Sequence, residues 1–269
     1  MKLGINTYTY MWSIGYPGAM PEKPISAVGL LEKAHQLGVK VVQFGPNLPL
    51  DKLDEASLSE FHQCATSWGI EVELATRGLE TDHLVSQLEL CRRLGSTFLR
   101  TIPELNGQSV DAVQIPEYIL RLLPMLAEGG IRLGLENGKI PAKELRWAVE
   151  EMNHPLVGIV LDTTNSLAVP EGWKEVTRAL APYVMCLHYK DFIMKRFWNM
   201  MGFICEGRPA GQGQVETDWL LEALKESRYD FNIIVELWPP EQETLSKVIE
   251  LEQAWAEESV AYLRRFVKD

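Results

Sequence analysis

Short apolar runs alternate along the chain with longer stretches whose apolar positions recur at helical spacing. Strand-like runs fall at residues 3–7, 39–44 (VKVVQF), 70–75 (IEVELA), 97–102 (TFLRTI), 131–136 (IRLGLE), 157–162 (VGIVLD), 183–189 (YVMCLHY) and 231–237 (FNIIVEL). Between and after them, residues 25–37, 57–68, 81–94, 110–128, 142–152, 173–181, 217–227 and 243–266 carry the period expected of amphipathic helices. Several of these stretches stop at a glycine (Gly38, Gly69, Gly95, Gly129-Gly130), a residue that readily takes the left-handed conformation closing a helix. Pro116 and Pro124 mark bends in the fourth.

Eight strands and eight helices in strict alternation imply parallel strands joined by helical crossovers. At 269 residues, eight such units fit an α/β fold of the closed (β/α)8, or TIM, barrel type. The expectation is one domain over residues 1–269. The alternative is an open doubly wound sheet, but no GxGxxG follows an early strand to support a dinucleotide fold. The irregular stretch 191–215 breaks the alternation. It is rich in Phe, Met and Trp, so it is read as a lid over the barrel mouth or as the contact surface of a homo-oligomer.

Composition narrows the function classes. Hydrophobic residues make up 46% and charged residues 23%, which excludes a disordered or collagen-like chain. Twenty-six basic against 37 acidic residues give a net charge of −11, which argues against nucleic-acid and anionic-membrane partners. Four scattered cysteines without a CxxC pair read as thiols in a reducing compartment. No signal-like or membrane-spanning run is present, so a cytoplasmic location is expected.

The active site of a (β/α)8 barrel lies at the C-terminal ends of its strands. Glu136, Asp162 and His188 stand at or near the ends of the fifth, sixth and seventh strands, and Glu236 near the end of the eighth. Three carboxylates together would repel one another, and burying charge without a partner is costly. One divalent cation resolves both problems. Three oxygens and one imidazole suit Mn²⁺ or Mg²⁺, with Co²⁺, Fe²⁺ or Zn²⁺ also open. Each residue alone reads equally well as a cap or an arginine partner; four on neighbouring strands are far more specific.

The segments LGLEN (133–137), VLDTTN (160–165), LHYKD (187–191) and IVELW (234–238), with the opening MKLGINTYTY, resemble the xylose isomerase-like barrel superfamily, especially its tagatose/psicose 3-epimerase-like branch. The resemblance covers essentially the whole chain. It implies that Glu136, Asp162, His188 and Glu236 bind one metal ion and that Glu136 and Glu236 act as the acid and base. A metal on a carbonyl and a neighbouring hydroxyl polarises both and stabilises the enediolate left when the α-proton departs.

The chain also departs from that branch. A histidine three residues after the metal aspartate is replaced by Asn165, and an arginine six residues after the metal histidine by Met194. QFGPNLPL (43–50), HYKDF (188–192), GRPAGQG (207–213) and ELWPP (236–240) are closer to a branch that includes 3-oxo-isoapionate decarboxylase-like proteins. The first reading is therefore an isomerase or epimerase acting on a small carbohydrate. A metal-dependent lyase using the same site, a decarboxylase of a 3-oxo-sugar acid or a dehydratase, is the second, and a non-catalytic sugar-binding barrel the third.

Candidate substrate contacts follow from position. Lys190, Arg196 and Arg208 are cations for a carboxylate; Asn137 and Asn165 are donors for hydroxyls; Tyr8 is an aromatic wall; Gln43 and Arg77 end the second and third strands. Surface or rim pairing is the plain alternative for the cations, turn formation for the asparagines and ordinary core packing for Tyr8. Glu104, after the fourth strand, reads as a supporting residue or a cap. His35, His62, His83 and His154 fall on helices or loops, which speaks against the histidine-rich three-metal endonucleases of the superfamily.

Overall fold

The computed structural model describes residues 1–268. Eight parallel strands close into a barrel: β1 (Leu3–Asn6), β2 (Val41–Phe44), β3 (Glu71–Arg77), β4 (Phe98–Ile102), β5 (Arg132–Glu136), β6 (Val157–Asp162), β7 (Val184–Tyr189) and β8 (Asn232–Val235). Each pairs with its sequence neighbours, and β8 closes on β1 with Ile5 opposite Val235. The chain is thus a (β/α)8 barrel, as the alternation predicts. Among the described residues, no helix is long and apolar enough to cross a membrane.

Two layers of core follow from the strand pleat, since alternate side chains point in and out. Val41, Phe98, Val160, Met185, Cys186 and Ile234 form a buried cluster of their own, apart from the larger core that includes the helix-facing residues. Gly134 on β5 makes room there: a Cβ at that position would lie 2.5 Å from Val160 Cγ2 and 2.8 Å from the Phe98 ring. The helices start and stop where the sequence signals. Ser26 caps Ala27–Leu37, Asp54 caps Glu55–Trp68 and Thr244 caps Leu245–Leu263, each accepting from a backbone N–H in the first turn. Gly38, Gly69, Gly95 and Gly130 close their helices in the left-handed region.

Two stretches differ from the sequence expectation. Residues 110–128 form a short 3₁₀ turn and two helices, Ile115–Leu120 and Leu123–Gly129, instead of one. The break falls just before Pro124, which lacks the N–H needed to continue the ladder. Residues 191–215 are not irregular either. Asp191–Arg196 pairs antiparallel with Phe203–Arg208 as a β-hairpin beside the mouth. Its tip exposes Trp198 (83%) and Met201 (87%).

Buried carboxylates fasten the loops. Glu252, on the last helix, accepts from Trp12 N at 2.8 Å, Ser13 N at 3.0 Å and Ser13 Oγ at 2.5 Å. It ties the segment after β1 to the end of the chain, and burial pushes its carboxyl up to about 7. Asp191 accepts from the backbone N–H groups of Phe192, Gly211, Gly213 and Val215 at 2.8 to 3.0 Å. That cup holds both ends of the hairpin. Asp191→Ala leaves buried donors unpaired and is expected to cost about 3 kcal/mol, or roughly 6 °C in Tm for a chain of this size. Differential scanning calorimetry checks this; an unchanged Tm would show the cup to be dispensable.

Candidate active site

Strand ends bring the four sequence-predicted ligand positions together. Glu136 closes β5, Asp162 closes β6, His188 sits one residue before the end of β7, and Glu236 follows β8 directly. Asp162 is paired in register with His188, and His188 with Ile234. All four are at least 98% buried. One ligand atom from each of Glu136, Asp162 and His188 lies within 4.8 Å of the other two. Glu236 joins them through Oε1, 3.0 Å from His188 Nδ1.

The imidazole is oriented from below. His188 Nε2 lies 2.8 Å from Gln43 Oε1, Gln43 Nε2 donates to Glu73 Oε2 at 3.1 Å, and Asn232 donates to Glu73 Oε1 at 2.9 Å. This chain of acceptors places the ring proton on Nε2 and leaves Nδ1 facing the carboxylates. Nδ1 has no hydrogen-bond partner, although it is 3.0 Å from Glu236 Oε1 and 3.6 Å from Glu136 Oε1. A ring nitrogen aimed between carboxylate oxygens calls for positive charge there, a proton on the ring or a metal ion in its place. The buried donor set therefore fits a divalent ion, with Gln43 supplying the outer hydrogen bond that metal-ligating histidines commonly use.

Two basic side chains neutralise part of the cluster. Arg100, 4% exposed, pairs through Nε with Glu136 Oε2 and donates from Nη1 to Thr76 O at 3.0 Å. Lys190 Nζ lies 2.8 Å from Asp162 Oδ2 and 2.6 Å from Glu236 Oε2. Burial alone would push the Glu236 carboxyl up, but the Lys190 ammonium and His188 hold it well below the usual range. Burial opposes the charged form of His188 in the same way, and Glu236 and Glu136 raise it well above an ordinary imidazole.

Asn6 sets Glu236 in place by donating from Nδ2 to its Oε1, while its own Oδ1 accepts from Tyr8 N and Thr9 N. Asn137 accepts from Asp162 N at 2.6 Å and donates to Asp162 O at 3.0 Å, so it braces the end of β6. Asn165 donates to Glu136 Oε1 at 2.8 Å and accepts from Lys190 at 3.2 Å.

Above the cluster lies a cavity of about 730 Å³. Tyr8, Arg77, Asn137, Asn165 and Lys190 line it, as do Glu136 and Glu236. Met194, Phe203, Cys205, Leu237 and Trp238 supply its apolar wall. Three expected substrate contacts lie elsewhere. Gln43 is fully buried beneath His188 and is engaged by it. Arg196 is exposed near the hairpin tip, and Arg208 pairs with Glu206 at 2.9 Å; neither lines the cavity. Sequence reasoning overlooked Arg100 and Lys139, which do line it. Arg100 carried a readable signal: an arginine in the middle of the apolar run TFLRTI must find an anion.

Comparison with known proteins extends this picture. A family model described as xylose isomerase-like TIM barrel matches residues 31–266. The 3-oxo-isoapionate decarboxylase of Pectobacterium atrosepticum is 31% identical over 264 residues, covering 98% of this chain and 95% of that protein. D-psicose 3-epimerase with D-tagatose from Clostridium cellulolyticum H10 superposes with a TM-score of 0.74 at 15% identity, covering all of both chains. A xylose isomerase-like TIM barrel protein from Mycobacterium smegmatis, in complex with magnesium, gives 0.68 at 15% identity and 97% of each chain. At those identities the two structures share the fold.

Proposed function

Because the chain belongs to the xylose isomerase-like TIM barrel family, we propose that it is a metal-dependent lyase that decarboxylates an oxo-sugar acid. The observation that carries this reading is the charge of the cavity wall. Arg77, Arg100, Lys139 and Lys190 all line the space above the carboxylate cluster. Four carboxylates, Glu104, Glu136, Asp162 and Glu236, already face these cations, so a divalent ion bound among them would leave the site net positive, which favours a sugar acid over a neutral ketose. The 31% identity to 3-oxo-isoapionate decarboxylase, over nearly the full length of both chains, supports the same choice.

Glu136, Asp162, His188 and Glu236 would hold the ion, with Mg²⁺ or Mn²⁺ best suited to an oxygen-rich set. When bound, such an ion polarises a carbonyl and offsets the negative charge that gathers on its oxygen. The chain's own residues do the rest. The bond from the α-carbon to the carboxylate breaks, its electron pair moves to the carbonyl oxygen, and CO₂ leaves. The apolar wall of Met194, Leu237 and Trp238 lowers the local polarity and favours the loss of charge from the departing group. Asn137 and Asn165 orient hydroxyls. Glu236 Oε2, supplied by Lys190 Nζ at 2.6 Å, delivers the proton that replaces CO₂.

Epimerisation is the second reading, and one feature favours it. Glu136 and Glu236 enter the cavity from β5 and β8, three strands apart around the ring, so they can reach opposite faces of one carbon. Proton NMR in D₂O with the Mg²⁺-loaded protein separates the two. With oxo-sugar acids the expected result is loss of the carboxylate with one deuterium in its place. Deuterium entry into a ketose with an intact skeleton would overturn the lyase reading in favour of epimerisation.

A further inference from the structure

We propose that Arg77 and Lys139, braced on Glu104, form the subsite that receives the substrate's carboxylate, across the barrel mouth from Lys190. This deepens the reading above and rests on it for the class of substrate. Three observations carry it: the ring order of the strands, a buried carboxylate shared by two cations, and a rigid turn that fixes the pair.

The closed sheet runs β1-β8-β7-β6-β5-β4-β3-β2. Arg77 ends β3 and Lys190 follows β7 directly. Those strands are four apart in a ring of eight, so the two cations stand on opposite sides of the mouth. The four ion-binding positions occupy the arc from β5 to β8, which leaves the β3–β4 arc to the substrate's carboxylate.

On that arc Glu104 is 5% exposed. It accepts from Arg77 Nε at 2.9 Å and Arg77 Nη2 at 3.1 Å, and from Lys139 Nζ at 2.5 Å. The Arg77 hydrogen bonds, against the pull of burial, hold its carboxyl down at about 2. Glu104 opens a small antiparallel pairing with Ser109 whose turn is Asn106-Gly107, both at positive φ. Asn-Gly is well suited to that tight turn. Gly107 O accepts a second bond from Lys139 Nζ at 3.1 Å, so the turn fixes the ammonium as well.

A rim salt bridge needs one cation per carboxylate; here two share one. About one positive charge remains, and both side chains line the cavity. Arg77 has five N–H donors and gives two to Glu104, so the others are available to an incoming anion. Half-neutralised, the pair recognises a carboxylate without stabilising it so strongly that its loss as CO₂ is opposed.

D-gluconate and its neutral counterpart D-glucitol serve as probes, titrated calorimetrically into the Mg²⁺-loaded protein. Gluconate is expected to bind more tightly than glucitol. Arg77→Gln is expected to weaken gluconate by about tenfold or more, the scale of a lost charged hydrogen bond, and to leave glucitol unchanged. Arg77→Lys, which keeps the charge, retains most of the preference. Equal binding of both probes by the wild type, or a preference that survives in Arg77→Gln, would overturn the subsite. Because the titration needs no turnover, failure of the decarboxylase reading would leave the gluconate preference in place, and the two failures are distinguishable.

Discussion

Glu236→Gln is expected to lower turnover by roughly 10³-fold, within the usual contribution of a positioned acid–base group, while leaving the fold intact. The side chain is 2% exposed, with Asn6 and Lys190 on its two oxygens and His188 alongside. The amide is nearly isosteric, so the barrel should keep its circular dichroism spectrum and most of its Tm. It cannot carry a proton between Lys190 and the reacting carbon, and it removes one negative charge from the ion site. Measuring metal content beside turnover separates these contributions. Near-wild-type turnover in a variant that binds metal would remove Glu236 from the proton path.

Chelation has the second large effect. Protein stripped of metal is expected to lose activity essentially completely and to recover it with Mg²⁺ or Mn²⁺. It should nevertheless stay folded. The three carboxylates of the cluster face two built-in cations, Arg100 and Lys190, so their repulsion is partly offset without the ion. Metal at about 100 times its Kd is expected to add about 2.7 kcal/mol, or roughly 5 °C in Tm, by mass action. Full activity after chelation, with no shift on adding metal, would contradict the site.

The sequence made the strand-end quartet legible because each member ends a buried apolar run, where a charge needs a reason. The same logic applied to Arg100, yet inside a strand it read as one more element of a pattern. Its partner Glu136 lies 36 residues away, and the crossover between the two strands sets β4 beside β5. Gln43 shows the opposite case. Its position was right, but the pleat turns it down into the barrel, toward His188 instead of the cavity. Arg196 and Arg208 were grouped with Lys190 by proximity along the chain. The hairpin carries Arg196 to its exposed tip and pairs Arg208 with Glu206, and nothing local in an irregular-looking loop announces that pairing. Arg77 and Lys139 converge on Glu104 from β3 and from the loop after β5, a meeting that no local spacing encodes.

All of this chemistry depends on one claim: that Glu136, Asp162, His188 and Glu236 form a binding site for one divalent ion. Isothermal titration of Mn²⁺ into chelator-treated protein tests it most directly, alongside Asp162→Asn, which removes a ligand charge from the 1%-exposed end of β6. The expected result is one ion per chain in the wild type and binding at least about tenfold weaker in the variant. Absence of saturable binding in the wild type, or identical binding in Asp162→Asn, would contradict the account.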